Sequence, residues 1–357
     1  MLSEIQGIIL IFFYIGGIIS YGTGAVAGGD LWLATILAIM ATLPLLMICA
    51  RILSIFPQQD FFEILSLLFG KWFGKLLGLI FVWVALNLAA INLWDEGAYI
   101  VTNAMAETPR NAFVFVVIIL AIWLVKSGIE NFSSWAELFC IVTVPIVITV
   151  ILLITPQMEL ANLQPVLANG YQPVIKGAFF LFSSHFGEVV VLLMLLSGLK
   201  NPQSYYKVFL IGFLLGGVWL LTTFSSEMMI LGSDLYGISY FPIYAAVAKL
   251  NIESFKRTEQ VVLILNVAYN FVKMALDLLI AACGISKIFG FKDYRFLTMP
   301  IGLLIFNLSN VLFTNIMERK IFQTEVFVYT KLIFILILPL LIWLVAEMRK
   351  DSLVKNK

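Results

Sequence analysis

The 357-residue chain is poor in charge, with 12% Asp, Glu, Lys and Arg, about half the share found in soluble globular domains. Set against 62% hydrophobic residues and a mean hydropathy of +1.03, that deficit excludes an ordinary soluble domain. The net charge of +1 provides no basic field for nucleic acid, and the chain has no phosphate-binding glycine loop of the Walker or dinucleotide type. Histidine occurs once, at His185, and Cys49, Cys140 and Cys283 stand singly inside apolar runs, which excludes a disulfide framework or a zinc site. No metal or cofactor is expected. No nucleophile, base and orienting group lie at motif spacing, so catalysis is not expected either. The amino terminus lacks a basic region and carries Glu4, and its apolar stretch has the length of a bilayer span. It reads as a retained helix rather than a cleaved signal peptide.

What the chain has is long apolar runs. Cut at its polar and Gly/Pro-rich joints, it yields about ten spans of about 20 residues each. They centre near Gly16, Ala41, Ala89, Ile118, Val147, Ser184, Gly217, Val272, Phe306 and Ile337. The expected fold is an all-α polytopic membrane protein. Residues 1–356 form one transmembrane domain, made of repeat one (about 5–155) and repeat two (about 173–347), with 348–357 as a cytoplasmic tail. The longest joints, Ser54 to Lys75 and Leu231 to Arg257, each follow the second span of a five-span unit. Their apolar positions (Phe61, Phe62, Leu65, Leu68 and Phe69; Ile243, Tyr244, Val247 and Leu250) suit short interfacial helices. Because five is odd, two such units insert with opposite orientations, the arrangement of inverted-repeat transporters.

Lys and Arg in short joints set orientation. Arg51, Lys71, Lys75, Lys126, Lys200, Lys207, Lys287, Lys292, Arg295, Arg349, Lys350, Lys355 and Lys357 fall on the side of the termini. Arg110, Lys249, Lys256, Arg257, Arg319 and Lys320 fall on the other. Both termini are therefore expected in the cytoplasm.

Two spans are interrupted at corresponding places in the two halves. The first, about Ile5 to Ala27, is broken by Gly16, Gly17, Gly22 and Gly24; the sixth, about Val174 to Leu196, by Ser183-Ser184-His185-Phe186-Gly187-Glu188. Within a bilayer such breaks are tolerated only where protein or a water-filled cavity satisfies the freed backbone groups, so paired breaks point to a buried binding site. Taken alone, the glycines of the first span also suit close helix approach. Half-helix amino ends favour a carboxylate and free carbonyls favour an ammonium. A small zwitterionic amino acid presents both.

Ionisable groups at bilayer depth are functional candidates by default. Glu188, just past the sixth-span break, can bind an amino group, carry a proton, or cap the second half-helix. His185 reads as a satisfied interior donor or a proton switch. Asn92 and Glu96 share a face of the third span with Asn87 and Asp95 close by, although Asp95 and Glu96 also suit a solvated interfacial end. Glu227, with Thr222, Thr223, Ser225 and Ser226, is a site wall or an interfacial end. Lys273 and Asp277, at i and i+4, suit an internal ion pair, or Lys273 suits a built-in cation in place of a coupling ion. Tyr14, Tyr21, Phe182, Phe186 and Tyr269 could shape an apolar pocket.

The order and spacing of several short elements resemble a known family. They are Leu2-Ser3-Glu4-Ile5-Gln6, Asp30-Leu31-Trp32-Leu33, Phe56-Pro57, Phe69-Gly70-Lys71-Trp72-Phe73-Gly74-Lys75, Glu107-Thr108-Pro109, Gly128-Ile129-Glu130 and Phe241-Pro242 leading to Phe255-Lys256-Arg257-Thr258-Glu259. Over nearly the whole chain they resemble the membrane-embedded B subunits of GerA-type spore germination receptors, within the amino acid-polyamine-organocation transporter superfamily. Ser133-Ser134 and Lys256 depart from that pattern, in what read as joints. The resemblance implies ten spans in a five-plus-five inverted repeat and residence in the inner spore membrane. It also implies assembly with A and C subunits and sensing of a nutrient, typically an amino acid. Carried over by position, it puts ligand contacts around Gly16, Gly17 and Ser20 in the first span and Phe182, Ser183, Ser184 and Gly187 in the sixth. Asn92 and Glu188 join that set on chemistry, with His185, Glu188, Lys273 and Asp277 as proton- or ion-coupling candidates. Three functions follow: a germinant-sensing subunit, a proton-coupled amino acid transporter, or an assembly scaffold with a vestigial pocket. Glu188→Gln is expected to weaken response while leaving assembly intact.

Overall fold

The computed structural model describes residues 2–17, 21–249 and 258–354. Ser20, Leu250, Phe255, Lys256, Arg257, Lys355 and Lys357 lie outside the described residues. The chain runs α1 (Glu4–Gly16), α2 (Leu31–Ile55), α3 (Phe61–Phe69), α4 (Lys71–Asn103), α5 (Arg110–Lys126) and α6 (Ile129–Ile154). The second half follows as α7 (Gln172–Leu181), α8 (Leu193–Leu196), α9 (Tyr205–Ile238), α10 (Pro242–Ala248), α11 (Thr258–Phe289) and α12 (Arg295–Val311). A last long span, Ile316–Lys350, is built from α13 (Ile316–Ile321), α14 (Val328–Leu332) and the start of α15 (Leu338–Val354), joined by π-helical turns. Six helical stretches are long and apolar enough to cross a membrane, and α1 and α12 are shorter apolar helices. With α5 and α11 they make ten helical segments among the described residues at the places of the ten expected spans.

Local chemistry sets the helix ends. Ser3 caps α1 through a reciprocal box with Gln6, and Asp60 caps α3 with Glu63 in the same way. Both short interfacial helices form. The apolar stripe of α3 (Phe61, Phe62, Leu65, Leu68) is buried against protein, mainly α4, and α10 packs on α9 and α11. Ser133 and Ser134 lie inside α6 rather than in a joint.

The two halves pack as a two-fold relation between five-span units requires. α4 lies on α11; α1 lies on α9 as α2 lies on α7; α12 lies on α4 as α5 lies on α11. These pairs are the ones that a five-plus-five repeat makes equivalent. At one end of the bundle Glu4 meets Lys207 (2.8 Å), Arg51 meets Glu347 (2.6 Å) and Asp60 meets Lys287 (2.8 Å). The amino terminus, the α2 end and the last helix therefore share a face, although each such exposed pair adds only about 0–1 kcal/mol.

The central α4–α11 contact depends on small residues. A Cβ on Gly284 would sit 2.4 Å from Val82 Cγ2 and 2.8 Å from Phe62 Cζ. We expect Gly284→Leu to lower stability by about 1–3 kcal/mol through overpacking. Gly237→Ala, whose Cβ meets only Ala25 at 3.9 Å, should change it by less than about 1 kcal/mol. Detergent-induced unfolding of the two purified variants measures the difference, and equal midpoints would refute this account of the contact.

Candidate functional site

Both interrupted spans depart from regular helix where expected, in different ways. α1 ends at Gly16 after 13 residues, about 20 Å of rise against a hydrocarbon core of about 30 Å, so the break lies inside the bilayer. The chain then turns through Gly22 (φ 67°) and Gly24 (φ 83°), backbone conformations that glycine adopts at little cost, into a 3₁₀ turn over Ala25–Asp30. The sixth span does not unwind. Phe182–Phe186 form a π turn and Gly187–Leu192 a 3₁₀ stretch, a widening followed by a tightening of one continuous helix. This is the most enclosed span, with 94% of its apolar window buried against 17% in α6. No lipid-facing break exists in it.

A charge cluster occupies the space beside this π turn. Glu188 sits between two lysines: Lys273 Nζ donates to Oε2 at 2.7 Å, and Lys331 Nζ donates to Oε1. Lys331 also reaches the Ser184 carbonyl at 3.5 Å, where the π turn displaces the backbone. One turn along α11 from Lys273, Asp277 accepts from Tyr14 Oη (2.9 Å) and Asn92 Nδ2 (3.1 Å). The expected Lys273–Asp277 pair is thus replaced. The i, i+4 spacing puts both groups on one face, but each finds a better-aligned partner on another helix.

Asp95 receives Arg319 Nε and Nη2, both at 2.8 Å, and Tyr21 Oη at 2.8 Å. Asp95 and Glu96 are 4% and 0% exposed, which overturns the reading of a solvated interfacial end. α4 runs on to Asn103, past both carboxylates, so these positions lie within the bundle. Gln323 donates to Thr23 Oγ1 at 3.0 Å, tying the last span to the α1 break. Asn270 donates to the Asn92 carbonyl at 3.0 Å and approaches Glu96 Oε2 at 3.5 Å. The three ion-paired cations and Glu188, Asp95 and Asp277 are all at least nine-tenths buried and balance in formal charge. The free space among them is about 20 Å³, room for about one water.

The sequence-derived residues divide among these features. Asn92, Ser184, His185, Glu188, Lys273 and Asp277 meet in or beside the cluster. Ser183 donates to the Val328 carbonyl and Ser184 to its own helix at Phe180 (2.6 Å), so both hydroxyl protons are committed. Phe182 is half-buried in the π turn. Gly187 and Gly17 permit close approach: a Cβ would lie 2.6 Å from Ile335 Cδ1 and 2.5 Å from the Tyr269 carbonyl, respectively. Gly16 lies away from the cluster, on a second cavity with Tyr269 and Glu227. His185 has no partner at Nε2 among the described residues. The aromatic set does not form one pocket: Tyr14 and Tyr21 serve carboxylates, Phe186 packs on Phe213, and Tyr269 stacks on Trp219.

Sequence reasoning missed Lys331, Arg319 and Gln323, all on the last span. Arg319 reads as a joint residue because it adjoins Lys320 and follows polar Asn315. Lys331 lies in an apolar run, and the signal for it was the uncompensated Glu188.

Comparison with known proteins follows this geometry. The sequence model of the family described as spore germination protein matches residues 1–317. Spore germination protein KB of Bacillus subtilis (strain 168) is 27% identical over 355 residues, 98% of this chain and 95% of its own length. Putative spore germination protein YfkT of the same strain is 25% identical over 320 residues, 88% and 87% of the two chains. In fold, the chain is similar to Mhp1, a nucleobase-cation-symport-1 family transporter solved in a closed conformation with bromovinylhydantoin bound. The TM-score is 0.68 over 93% of this chain and 76% of the transporter, at 11% identity. A membrane bundle of transporter fold, matched by one family over most of its length, supports a single assignment: the chain belongs to the spore germination protein family.

Proposed function

We propose that the chain is the membrane-embedded, nutrient-sensing subunit of a spore germination receptor, with both termini in the cytoplasm. A small germinant, of amino-acid type, binds at the broken first and sixth spans and shifts the bundle between two arrangements that A and C partner subunits detect. The observation that carries this reading is the neutral cluster joining both interrupted spans to α4, α11 and the last span around a space of only about 20 Å³. The arrangement described is closed. A zwitterion entering it places its ammonium on Glu188 and its carboxylate on Lys331 or Arg319, replacing one internal ion pair with two external ones. Such a ligand distinguishes open from closed, which a population shift requires. Ser184 and Asn92 line the same small space, while Phe182, Ser183 and Gly187 shape the π turn.

The second reading is a proton-coupled amino acid transporter. It is favoured by the transporter fold and by His185, Glu188 and Lys273 lining one small space, with Asp277 one turn from Lys273. Flux separates the two: purified protein in liposomes that accumulates labelled amino acid against a gradient, without partner subunits, supports transport.

The cluster changes what is expected of Glu188→Gln. Removing this carboxylate leaves Lys273 and Lys331 buried without their counter-ion, a loss of about 3–5 kcal/mol. We expect reduced protein in the membrane, and partial recovery in Glu188→Gln/Lys331→Met, measured by membrane yield and detergent-induced unfolding. A single variant as stable as the parent would remove the structural role assigned to the cluster. For sensing, spores carrying Asn92→Ala or Ser184→Ala should need roughly threefold to tenfold more nutrient for half-maximal germination at normal protein level. Dose curves that superimpose on the parent would place the ligand elsewhere.

A further inference from the structure

The second cavity, about 90 Å³, lies between α6, α9, α11 and the end of α1, and α10 covers it. Its walls are mostly aliphatic and aromatic, including Val150, Leu220 and Phe224. Among the described residues that line it, Glu227 is the one acidic residue and there is no Lys, Arg or His. Glu227 is 3% exposed, and its Oε2 has no hydrogen-bond partner among the described residues. A carboxylate held this way is expensive unless something neutralises it.

Two further oxygens lie on the same stretch of α9. Thr223 donates its hydroxyl to the Trp219 carbonyl (3.0 Å) and Ser226 donates to the Thr222 carbonyl (2.7 Å). With those protons committed, both hydroxyls meet the cavity only as acceptors. The wall thus offers a carboxylate, two hydroxyl acceptors and the Asn266 amide, and most of the remainder is apolar. We propose that this cavity binds a small primary ammonium with an apolar body of a few carbons, its three N–H groups shared among Glu227, Thr223 and Ser226. An amino acid would leave its own carboxylate without a cation, so an amine binds more tightly than the corresponding amino acid. The site is separate from the charge cluster and does not rest on the nutrient-sensing reading.

The test is calorimetric titration of isobutylamine into the purified full chain in lipid nanodiscs, with isobutanol, L-valine and potassium chloride as comparison titrants. The expected result is saturable isobutylamine binding, weaker binding of L-valine, and none of isobutanol or potassium. Glu227→Gln should weaken the amine about tenfold or more, since a hydrogen-bonded charge is lost. Ala246→Leu, which fills the cavity from α10 and keeps the carboxylate, should weaken it comparably. Wild-type protein that does not bind isobutylamine overturns the proposal, as does Glu227→Gln binding that matches wild type. Isobutanol binding equal to the amine would show an apolar void only, and potassium binding at comparable strength an inorganic cation site; either also overturns it. Loss of germination response in Ser184→Ala leaves these outcomes unchanged, so the two readings fail independently.

Discussion

Charge buried at bilayer depth has to be neutralised in place, and the centre of this bundle is arranged around that requirement. Glu188 is held by lysines from α11 and the last span, and Asp95 by an arginine from the last span and a tyrosine from the first break. Each pair joins elements distant in sequence, so cluster and tertiary fold form together. Neither half of the chain can satisfy its own charges: Glu188 and all three cations belong to the second half, Asp95 to the first. The isolated second half would carry three buried cations against Glu188 and Asp277, and Asp95 on α4 offsets the remaining positive charge.

Most of the architecture was legible because apolar run length and joint chemistry are local properties. Ten spans, two short interfacial helices and the two interruptions follow from composition within windows of about 20 residues. The form of the sixth-span interruption was not legible. A π turn keeps the helix continuous, and polar residues such as Ser183 and Ser184 do not reveal whether their hydroxyls will bond their own helix or a neighbour. One bonds each way.

The cluster was half legible for a related reason. Glu188, Lys273, Asp277 and Asn92 stand out as polar groups in apolar runs, but pairing among them is a tertiary property. Lys273 and Asp277 have the spacing of a helix pair, yet both turn to other helices, where Tyr14, Asn92 and Glu188 offer hydrogen bonds of good length. Lys331 was overlooked because its run reads as an ordinary span. Demanding a counter-ion for each buried charge would have searched that run for a cation, since one lysine and two carboxylates in the second half's central helices do not balance.

The closed cluster also bears on what a ligand can accomplish. A compound that merely fits the open arrangement changes nothing unless it binds that arrangement better than the closed one, and moving an equilibrium from 1:99 to 99:1 takes about 5.5 kcal/mol of difference. One hydrogen bond falls short of this. On the proposed reading, replacing the internal Glu188–Lys331 contact with two charge-assisted contacts to a zwitterion gains one such contact net, about 1.5–3 kcal/mol, so a full switch also needs the apolar and neutral contacts of the ligand. On that reading a ligand without a carboxylate would leave Lys331 unpaired on opening, whereas Glu188 keeps Lys273, so the penalty falls mainly on ligands that lack the negative charge.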